Sequence, residues 1–295
     1  PGTPGIEVHY LEPDGQRARE PGGETGMVAR RDLAFLLLHG FTFNSFTWGA
    51  VLEPLATLGR TVAYDQLPYG LSAKPVSGDW RGENPYAKES AIAQVGAVMA
   101  GLNLPRAILV GNSSGGTLAL EAALADPQRV AGLILIAPWV FAQRPTIPRP
   151  LAELPQLQRL SLLLGRTLGR STLVRYSYQD PQRITDDRMA LALIHTRMAN
   201  WDLAWGALLD RSLSSPVDIS VRLNQVRVPV LVITGEQDKL VKVADSRRVA
   251  QAIPGASLAV LPDCGHAPQE ECPDAFMAAV TRWLGTAFPE SAAGP

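Results

Sequence analysis

The segment GNSSGG, residues 111–116, places two adjacent serines among glycines. It follows a short apolar run and precedes a run rich in alanine and leucine, which predicts a strand, a tight turn and a helix. The spacing Gly-x-Ser-x-Gly removes side chains that would crowd a serine held in a strained turn. Ser113 has glycines at both of these positions, whereas Ser114 has an asparagine at the first. We therefore predict that Ser113 is a nucleophile.

A different interpretation of GNSSGG is a glycine-rich turn that cradles a phosphate group. The segment lacks the GxxxxGK[ST] spacing of a phosphate-binding loop. It also stands in the middle of the predicted strand order, whereas a dinucleotide site follows the first strand. The residues that accompany the serine therefore decide between the two interpretations.

A serine hydroxyl becomes a good nucleophile when a base removes its proton, and a carboxylate usually orients that base. The chain has four histidines. His266 stands in a loop after the last predicted strand, next to Gly265, and is the candidate base. His9 falls in a predicted edge strand and His195 in a predicted helix, where a structural or surface role is expected. His39 ends a strand beside Gly40.

Asp238 is the candidate for the carboxylate, because it stands at the end of the strand that precedes the histidine loop. Glu236 and Asp263 are the rival acids. The chain order serine, Asp238, histidine is the order that accompanies a strand-turn-helix serine. We therefore predict a catalytic triad of Ser113, Asp238 and His266. The backbone N–H of Ser114, at the start of the following helix, is a candidate donor to a developing oxyanion.

Seven short apolar runs, bounded by glycine, proline, asparagine or aspartate, must position these residues. They are residues 6–13, 34–40, 61–68, 107–113, 132–138, 230–238 and 257–266. Helical patterns lie between most of them. Alternation of strand and helix is typical of the α/β class with a doubly wound, mostly parallel sheet.

The alternation is interrupted once, from residue 139 to residue 223. This segment contains leucine, arginine and proline at helical spacing and no convincing strand pattern. We therefore expect a helical cap at 139–223, inserted into a core formed by residues 1–138 and 224–295.

Length and composition fit one large soluble domain with such an insertion. The chain has 295 residues, of which 46% are hydrophobic and 19% charged, with a formal net charge of -1. Neither a nucleic acid nor an anionic membrane surface is an expected partner at this charge. The apolar runs are far shorter than the roughly 20 residues of a membrane-spanning helix. No signal sequence is visible, so the cytoplasm is the expected location, although the first residue is proline and processing remains open.

The cysteines support the same location. The two cysteines, Cys264 and Cys272, are too few for a disulfide framework. We expect two free thiols in a reducing compartment.

Five segments in this order carry a resemblance to a known family. They are LLLHGF (36–41), YDQLPYGLSAKP (64–75), GNSSGG (111–116), VITGEQD (232–238) and CGHAPQEECPDAF (264–276). With them the sequence resembles the serine branch of the α/β-hydrolase superfamily. The resemblance implies the α/β-hydrolase fold and a second oxyanion donor, the backbone N–H of Phe41. It also implies that His39 shapes the oxyanion loop. Dehalogenases and epoxide hydrolases with similar segments have aspartate at the turn, so serine here implies acyl transfer.

Aromatic residues near the oxyanion loop and in the predicted cap are candidates for the substrate pocket. The candidates from the cap are Trp139, Phe141, Trp201 and Trp205, and Thr42 joins them from the oxyanion loop. The aromatic residues that accompany the oxyanion loop are Phe41, Phe43, Phe46 and Trp48. Such walls favour an uncharged, hydrophobic substrate.

Cap arginines offer a contrasting expectation about the substrate. Arg188 and Arg197 are the first candidates to grip a substrate carboxylate. The alternative is that the cap arginines form a solvated face with acidic partners. Those partners would be Asp186, Asp187, Asp202 and Asp210.

The predicted function is hydrolysis of a small-molecule carboxylic ester through an acyl-enzyme. This chemistry requires no metal and no organic cofactor, and the sequence has no metal-ligand cluster. Two alternatives stay open: hydrolysis of a carbon-carbon bond in a ring-fission product, and a receptor that keeps the triad but senses a small molecule. A monomer or a homodimer is expected.

Overall fold

A computed structural model provides the structure of the protein. It describes residues 6–14, 33–141, 148, 151, 154–169, 173–214 and 218–289. Within these residues the chain forms one seven-stranded sheet covered by helices on both faces. The predicted α/β class and the doubly wound sheet are confirmed.

The strands follow the predicted order along the chain. They are β1 (Tyr10–Leu11), β2 (Ala34–Leu38), β3 (Arg60–Tyr64), β4 (Ala107–Asn112), β5 (Val130–Ile136), β6 (Val230–Gly235) and β7 (Ser257–Leu261). Their order in the sheet is β1-β3-β2-β4-β5-β6-β7, and all neighbours from β3 to β7 run parallel. The first strand is shorter than predicted and pairs antiparallel with β3.

The helices connect these strands. They are α1 (Gly49–Ala56), α2 (Lys88–Gly101), α3 (Ser114–Ala125), α4 (Pro155–Gly169), α5 (Leu173–Ser177), α6 (Asp186–Ala192), α7 (Trp201–Ser214), α8 (Val243–Ala252), α9 (Pro268–Glu271) and α10 (Pro273–Ala287). Short 3-10 turns occupy Ser45–Trp48, Pro181–Arg183, Ile194–Arg197, Ile219–Val221 and Leu223–Gln225.

Side-chain alternation along the strands divides the core into two layers. Leu36 and Leu38 of β2 pack with α2, α3 and α8 on one face, whereas Phe35 and Leu37 pack with α1 and α10 on the other. Successive side chains of a strand point to opposite faces, and a strand covered on both faces is apolar throughout. The central strands are buried accordingly.

Between β5 and β6 the described residues form helices and no strand. Helices α4 and α7 cross closely at Gly165 and Gly206. A Cβ on Gly165 would lie 2.9 Å from the backbone nitrogen of Gly206, and one on Gly206 would lie 3.0 Å from Cα of Leu162. Glycine at both positions therefore allows this approach.

The order of the sheet places a crevice between β2 and β4. The chain leaves β2 towards β3 on one side and resumes at β4 on the other, so the loops after β2 and β4 diverge. Ligands of open α/β sheets bind at such a switch point, at the carboxyl ends of the strands. The loop at Gly40 and the turn at Ser113 both lie there.

Candidate active site

Ser113 occupies the sharp turn between β4 and α3. Its φ is 54° and its ψ is -117°, a conformation that side-chain-bearing residues rarely adopt. Strain of this kind persists where the surrounding structure imposes it, and it clusters at functional sites. The predicted strand, turn and helix are all present, and α3 ends at Ala125 as expected.

Close backbone packing explains why glycine flanks this turn. A Cβ on Gly111 would overlap the carbonyl of Gly115, and a Cβ on Gly115 would overlap the carbonyl of Leu38 in β2. On the facing loop, a Cβ on Gly40 would lie 3.1 Å from Cβ of Ser113. The serine turn and the loop after β2 can therefore meet only because these positions lack side chains.

The candidate acid Asp238 and the candidate base His266 form a buried pair. Oδ2 of Asp238 lies 2.8 Å from Nδ1 of His266, and both side chains are almost fully buried. The other carboxylate oxygen accepts hydrogen bonds from the backbone N–H groups of Leu240 (2.8 Å) and Val241 (2.9 Å). With Nδ1–H donating to Asp238, the unprotonated Nε2 of the neutral ring is available as a base.

The loop that carries His266 is held by its backbone. The N–H of His266 donates to the carbonyl of Ser177 at 2.8 Å, and its carbonyl accepts from Nδ2 of Asn112 at 3.0 Å. The carboxylate of Glu271 accepts from the N–H groups of Gly265 (3.2 Å) and Ala267 (3.1 Å). These contacts fix the histidine relative to the turn that bears Ser113.

Glu271 also reaches into the segment between β5 and β6. It accepts a hydrogen bond of 2.7 Å from the N–H of Gln179. Burial raises the pKa of Glu271, although its three N–H donors oppose that rise. Neither Glu271 nor Asn112 was predicted from the sequence as part of the site. Their proximity to His266 and Ser113 in the sequence was the available signal.

Among the described residues, the hydroxyl of Ser113 makes no hydrogen bond. The contact between nucleophile and base is often long without substrate and closes in the complex. The structure therefore places the serine, the histidine and the aspartate in one region and shows the histidine–aspartate contact directly.

The two N–H groups predicted as oxyanion donors, those of Phe41 and Ser114, make no hydrogen bond to a described residue. Ser114 is the first residue of α3, where the aligned peptide dipoles favour negative charge. Thr42, with φ 65°, and the bond from Phe43 N–H to the Gly40 carbonyl shape the facing loop.

His39 is fully engaged in that loop. Its Nδ1 lies 2.9 Å from the carbonyl of Gly40, and its Nε2 accepts from the N–H of Gln66 at 3.0 Å. Burial lowers the pKa of His39, and this outweighs the opposing effects of Asp65 and the Gly40 carbonyl. The neutral ring therefore joins the loop after β2 to the loop after β3 through its two hydrogen bonds.

The other candidate acids and bases lie elsewhere. Glu236 and Asp263 are exposed and make no contact with the ring of His266. His9 contacts Asp65 at 2.9 Å, and His195 stacks on Trp205 with ring centroids 5.0 Å apart. These two histidines have structural surroundings, as the sequence analysis expected.

A cavity of about 220 Å³ opens beside the residues of the two predicted oxyanion donors. Phe41 and Ser114 both line it, and Trp139 and Leu208 bring the β5–β6 segment into its wall. Most of its surface is apolar, but charged side chains of α2, α3 and α7 also line it: Lys88, Glu121 and Arg211. Spacing alone did not reveal these charges, because they come from three separate elements.

Only one of the five residues predicted to line the substrate pocket lines this cavity. Among the described residues, Trp139 lines the cavity and the other four do not. Trp201 and Trp205 are buried and pack with Tyr69 behind the cavity wall. Phe141 lies beneath the guanidinium of Arg248, 3.9 Å from its ring centroid.

A sequence profile of the Alpha/beta hydrolase family matches residues 35–279, most of the chain. The chain belongs to the α/β hydrolase family. A pimeloyl-[acyl-carrier protein] methyl ester esterase of Nitrosomonas europaea is 27% identical over 248 residues, covering 82% of this chain and 92% of that protein. A 2-hydroxymuconate semialdehyde hydrolase of Pseudomonas putida is 29% identical over 235 residues, covering 77% of this chain and 78% of that protein.

Solved structures agree on the fold of this α/β hydrolase. The meta-cleavage product hydrolase of Pseudomonas fluorescens IP01 superposes with a TM-score of 0.73. It is 21% identical, and the match covers 97% of this chain and 96% of that chain. At this identity the likeness shows the fold alone.

The cap arginines named from the sequence do not line the cavity of this hydrolase. Arg188 binds Glu270 of α9 through two contacts of 2.5 and 2.6 Å, and Arg197 is exposed. The expected pairing within the segment is seen for Asp202, which lies 2.8 Å from Nη2 of Arg166.

Cys264 and Cys272 form a disulfide, so the expectation of two free thiols is wrong. The loop after β7 and the short helix α9 return the chain on itself, which brings the two Cα atoms to 6.2 Å. The disulfide closes the loop that carries His266. It also removes the argument for a reducing compartment that rested on free cysteines.

The described residues contain no candidate membrane-spanning helix and no candidate metal cluster. None of their helices is both long enough and apolar enough to span a membrane. No group of three or more His, Cys, Asp or Glu side chains in this part of the chain is arranged to hold a metal ion.

Proposed function

We propose that this hydrolase cleaves carboxylic esters through an acyl-enzyme on Ser113. The observation that carries the proposal is the buried contact between Asp238 and His266, on a loop tied by Asn112 to the turn that bears the serine. The N–H groups of Phe41 and Ser114, which donate to no described residue, are the proposed donors to the oxyanion.

In the acylation step, Oγ of Ser113 attacks the ester carbonyl while Nε2 of His266 takes the hydroxyl proton. The negative charge moves to the carbonyl oxygen, where the N–H groups of Phe41 and Ser114 stabilise it. Asp238 stabilises the imidazolium that forms. Collapse of the tetrahedral intermediate breaks the bond to the alcohol oxygen, which receives the proton from His266.

Deacylation repeats the sequence with water as the nucleophile. His266 takes a proton from water as the hydroxyl oxygen attacks the acyl carbon, and the same two N–H groups hold the oxyanion. The intermediate then releases the carboxylic acid and returns the proton to Ser113. His266 accepts and then donates the proton in each half of the cycle.

The two adjacent serines provide a matched test. Steady-state hydrolysis of p-nitrophenyl esters of increasing acyl length should fall by about a thousandfold or more in Ser113→Ala. Ser114→Ala keeps its backbone N–H and should retain most of the activity. A fluorophosphonate probe should label the parent and Ser114→Ala on the peptide that contains Ser113, and should not label Ser113→Ala.

Different outcomes would contradict different parts of the proposal. Activity in Ser113→Ala with loss in Ser114→Ala would mean that the nucleophile is misassigned. A folded parent that accepts the probe but hydrolyses no ester would contradict ester hydrolysis while leaving the nucleophile in place.

A second candidate is hydrolysis of a carbon-carbon bond in a ring-fission product. The relative from Pseudomonas putida is named a 2-hydroxymuconate semialdehyde hydrolase, which favours this reaction. The cations Lys88 and Arg211 in the cavity are compatible with an acidic substrate. Loss of the visible absorbance of a vinylogous diketone acid, at a rate far above that of any ester, would favour this reaction.

We further propose that residues 139–223 act as the cap of the site, because Trp139 and Leu208 from this segment line the cavity. The disulfide between Cys264 and Cys272 counts against the predicted cytoplasmic location. A monomer or homodimer is the proposed assembly. Size-exclusion chromatography with light scattering tests the assembly.

A further inference from the structure

The cavity follows one face of α3. Ser114, Thr117, Leu118 and Glu121 all line it, at the spacing of three, four and seven residues that places side chains on one helix face. At 1.5 Å per residue, the distance along α3 from Ser114 to Glu121 is about 10 Å. The cavity therefore extends from an oxyanion donor to a charged side chain two helical turns away.

The character of the wall changes along this path. Phe41, Tyr69 and Trp139 contribute aromatic surface, and Leu118 contributes aliphatic surface. At Glu121 the wall becomes charged, because Nζ of Lys88 lies 3.6 Å from its carboxylate and lines the cavity as well. An ester that fills the cavity has an apolar middle and a polar far end.

The carboxylate at this end is already occupied. Nη2 of Arg222 donates to both oxygens of Glu121 at 2.8 Å. Asp218 completes the group, 3.2 Å from Lys88 and 3.3 Å from Arg222. Glu121 therefore has its strong donor in Arg222, which does not line the cavity.

The ammonium group of Lys88 has donors to spare. An ammonium carries three N–H groups, and among the described residues Lys88 makes one hydrogen bond, to Asp218. Although burial opposes the charge, the contacts with Asp218 and Glu121 raise the pKa of Lys88, so it is a cation at neutral pH. The guanidinium of Arg211, a group with five N–H donors, lines the same cavity.

We infer that the substrate carries a carboxylate, joined to the ester carbonyl by an apolar segment and bound by Lys88 and Arg211. This inference rests on the proposed ester hydrolysis and names its substrate class. A carboxylate accepts hydrogen bonds only. It therefore matches the end of the cavity where, among the described residues, Lys88 makes a single hydrogen bond and the carboxylate of Glu121 is already bound by Arg222. Charge-assisted hydrogen bonds of this kind are short and strong.

Chain-matched esters test the inference in the wild-type enzyme. One series contains monoethyl esters of dicarboxylic acids from succinate to suberate, which place the carboxylate on the acyl side. A second contains acetate esters of ω-hydroxy acids, which place it on the alcohol side. Each is compared with a neutral ester and an ω-amino ester of the same length, and hydrolysis is followed by pH-stat titration.

The enzyme should prefer the carboxylate member of at least one series, by about tenfold or more in kcat/KM over the neutral ester. The ω-amino ester should be the poorest. The preference should weaken at high ionic strength, because the charges lie at a partly exposed end of the cavity. Equal rates for all three charge types in both series, or preference for the ω-amino ester, would overturn the inference.

Lys88→Met removes the ammonium but keeps a side chain of similar length. It should lower kcat/KM for the preferred carboxylate ester by about tenfold, through KM, and change that of the neutral ester by less than about twofold. Lys88→Arg should restore the preference. Lys242→Met is the control, because Lys242 is exposed and does not line the cavity. Equal losses on both esters in Lys88→Met would also count against the inference.

A binding measurement separates this inference from the proposed function. At least one carboxylate ester of the two series should raise the melting temperature of Ser113→Ala more than its neutral counterpart does, and Lys88→Met in that background should abolish the shift. If the parent hydrolyses no ester but this Lys88-dependent shift is seen, ester hydrolysis fails and the carboxylate site stands. If esters are hydrolysed without charge preference and the shift is absent, only the carboxylate site fails.

Discussion

The side-chain amide of Asn112 donates a hydrogen bond of 3.0 Å to the backbone carbonyl of His266. Asn112 is the last residue of β4 and directly precedes Ser113, so this contact joins the serine turn to the histidine loop across 154 positions of sequence. Asn112 is completely buried, and its Nδ2 also lies 3.3 Å from the carbonyl of Ile136. The residue between the first glycine and the serine of Gly-x-Ser-x-Gly thus connects the proposed nucleophile to the loop of the proposed base.

Asn112→Ala should therefore impair catalysis as well as stability. Removing the amide leaves a buried carbonyl without its donor, which costs about 1–3 kcal/mol, and it frees the histidine loop on the side of the serine. We expect kcat to fall by about tenfold with little change in KM. Steady-state kinetics and urea denaturation measure the two effects.

Asn44→Ala is the matched control for this prediction. Asn44 is also completely buried, and its Nδ2 donates to the carbonyl of Leu191 at 2.8 Å. It makes no contact with His266. The control should lose a comparable free energy of unfolding but keep most of its kcat. Equal kcat losses in both variants would show that Asn112 has no specific role in placing the histidine.

Glu271→Gln should lower kcat strongly and the free energy of unfolding only modestly. The carboxylate holds the N–H groups on both sides of His266, and an amide at this position has one acceptor oxygen instead of two. We expect a decrease in kcat of about tenfold or more, a KM within about threefold of the parent, and slower labelling by a fluorophosphonate probe.

Glu270→Gln provides the comparison. Glu270 is equally close in sequence but binds Arg188, Tyr178 and Thr47 rather than the histidine loop. Breaking its buried ion pair should cost about 3 kcal/mol or more of stability, with kcat largely retained at temperatures where the protein is folded. If the two variants lose kcat equally, the contacts of Glu271 do not position His266.

Gly115→Ala should disrupt the serine turn. A Cβ at this position would overlap the carbonyls of Leu38 and His39, so β2 and α3 would have to separate. We expect a loss of stability greater than about 2 kcal/mol, together with loss of activity. Gly49 has an α-helical φ of -50°, and a Cβ added there would meet no atom within 4 Å beyond its chain neighbours and its own helix backbone. Gly49→Ala should therefore be neutral or stabilising by up to about 1 kcal/mol. Thermal unfolding of both variants decides the point.

Asp65 makes stability dependent on acid pH. Burial alone would raise its pKa, but hydrogen bonds from His9 and from the N–H groups of Ser45 and Leu71, with the nearby His39, lower it to about 2. A lowered pKa means that the carboxylate stabilises the fold above its unfolded-state value near 4. This contribution, about 2 kcal/mol, is lost as the pH falls from about 4 to about 2.

Urea denaturation between about pH 5 and pH 2 measures this dependence. Asp65→Asn should be less stable than the parent at pH 5, and the difference should shrink as the pH falls through the pKa of Asp65. Asp79→Asn, a change at an exposed aspartate, should follow the parent throughout. A constant difference between the parent and Asp65→Asn at every pH would contradict the assigned pKa.

The sequence by itself determined the order of the strands along the chain, the burial of the sheet on both faces and the choice of Ser113, Asp238 and His266 as candidates. Each of these depends on local chemistry: apolar period, glycine at a strained turn, and polar residues at strand ends. The first strand was predicted too long, because its alternation of apolar and polar residues continues beyond the two residues that pair with β3.

Contacts between distant segments were decided by the tertiary structure alone. Asn112 at the end of β4 reaches His266 after β7, and Glu271 after β7 reaches Gln179 between β5 and β6, because the whole chain brings these segments together. Cys264 and Cys272 are only eight residues apart, and they bond because the loop after β7 and helix α9 return the chain on itself. The cavity likewise combines side chains of α2, α3 and α7, so its charged end has no signature in any single segment. Hydrophobic period reports which face of an element is buried, whereas the partner on that face depends on how the whole chain packs.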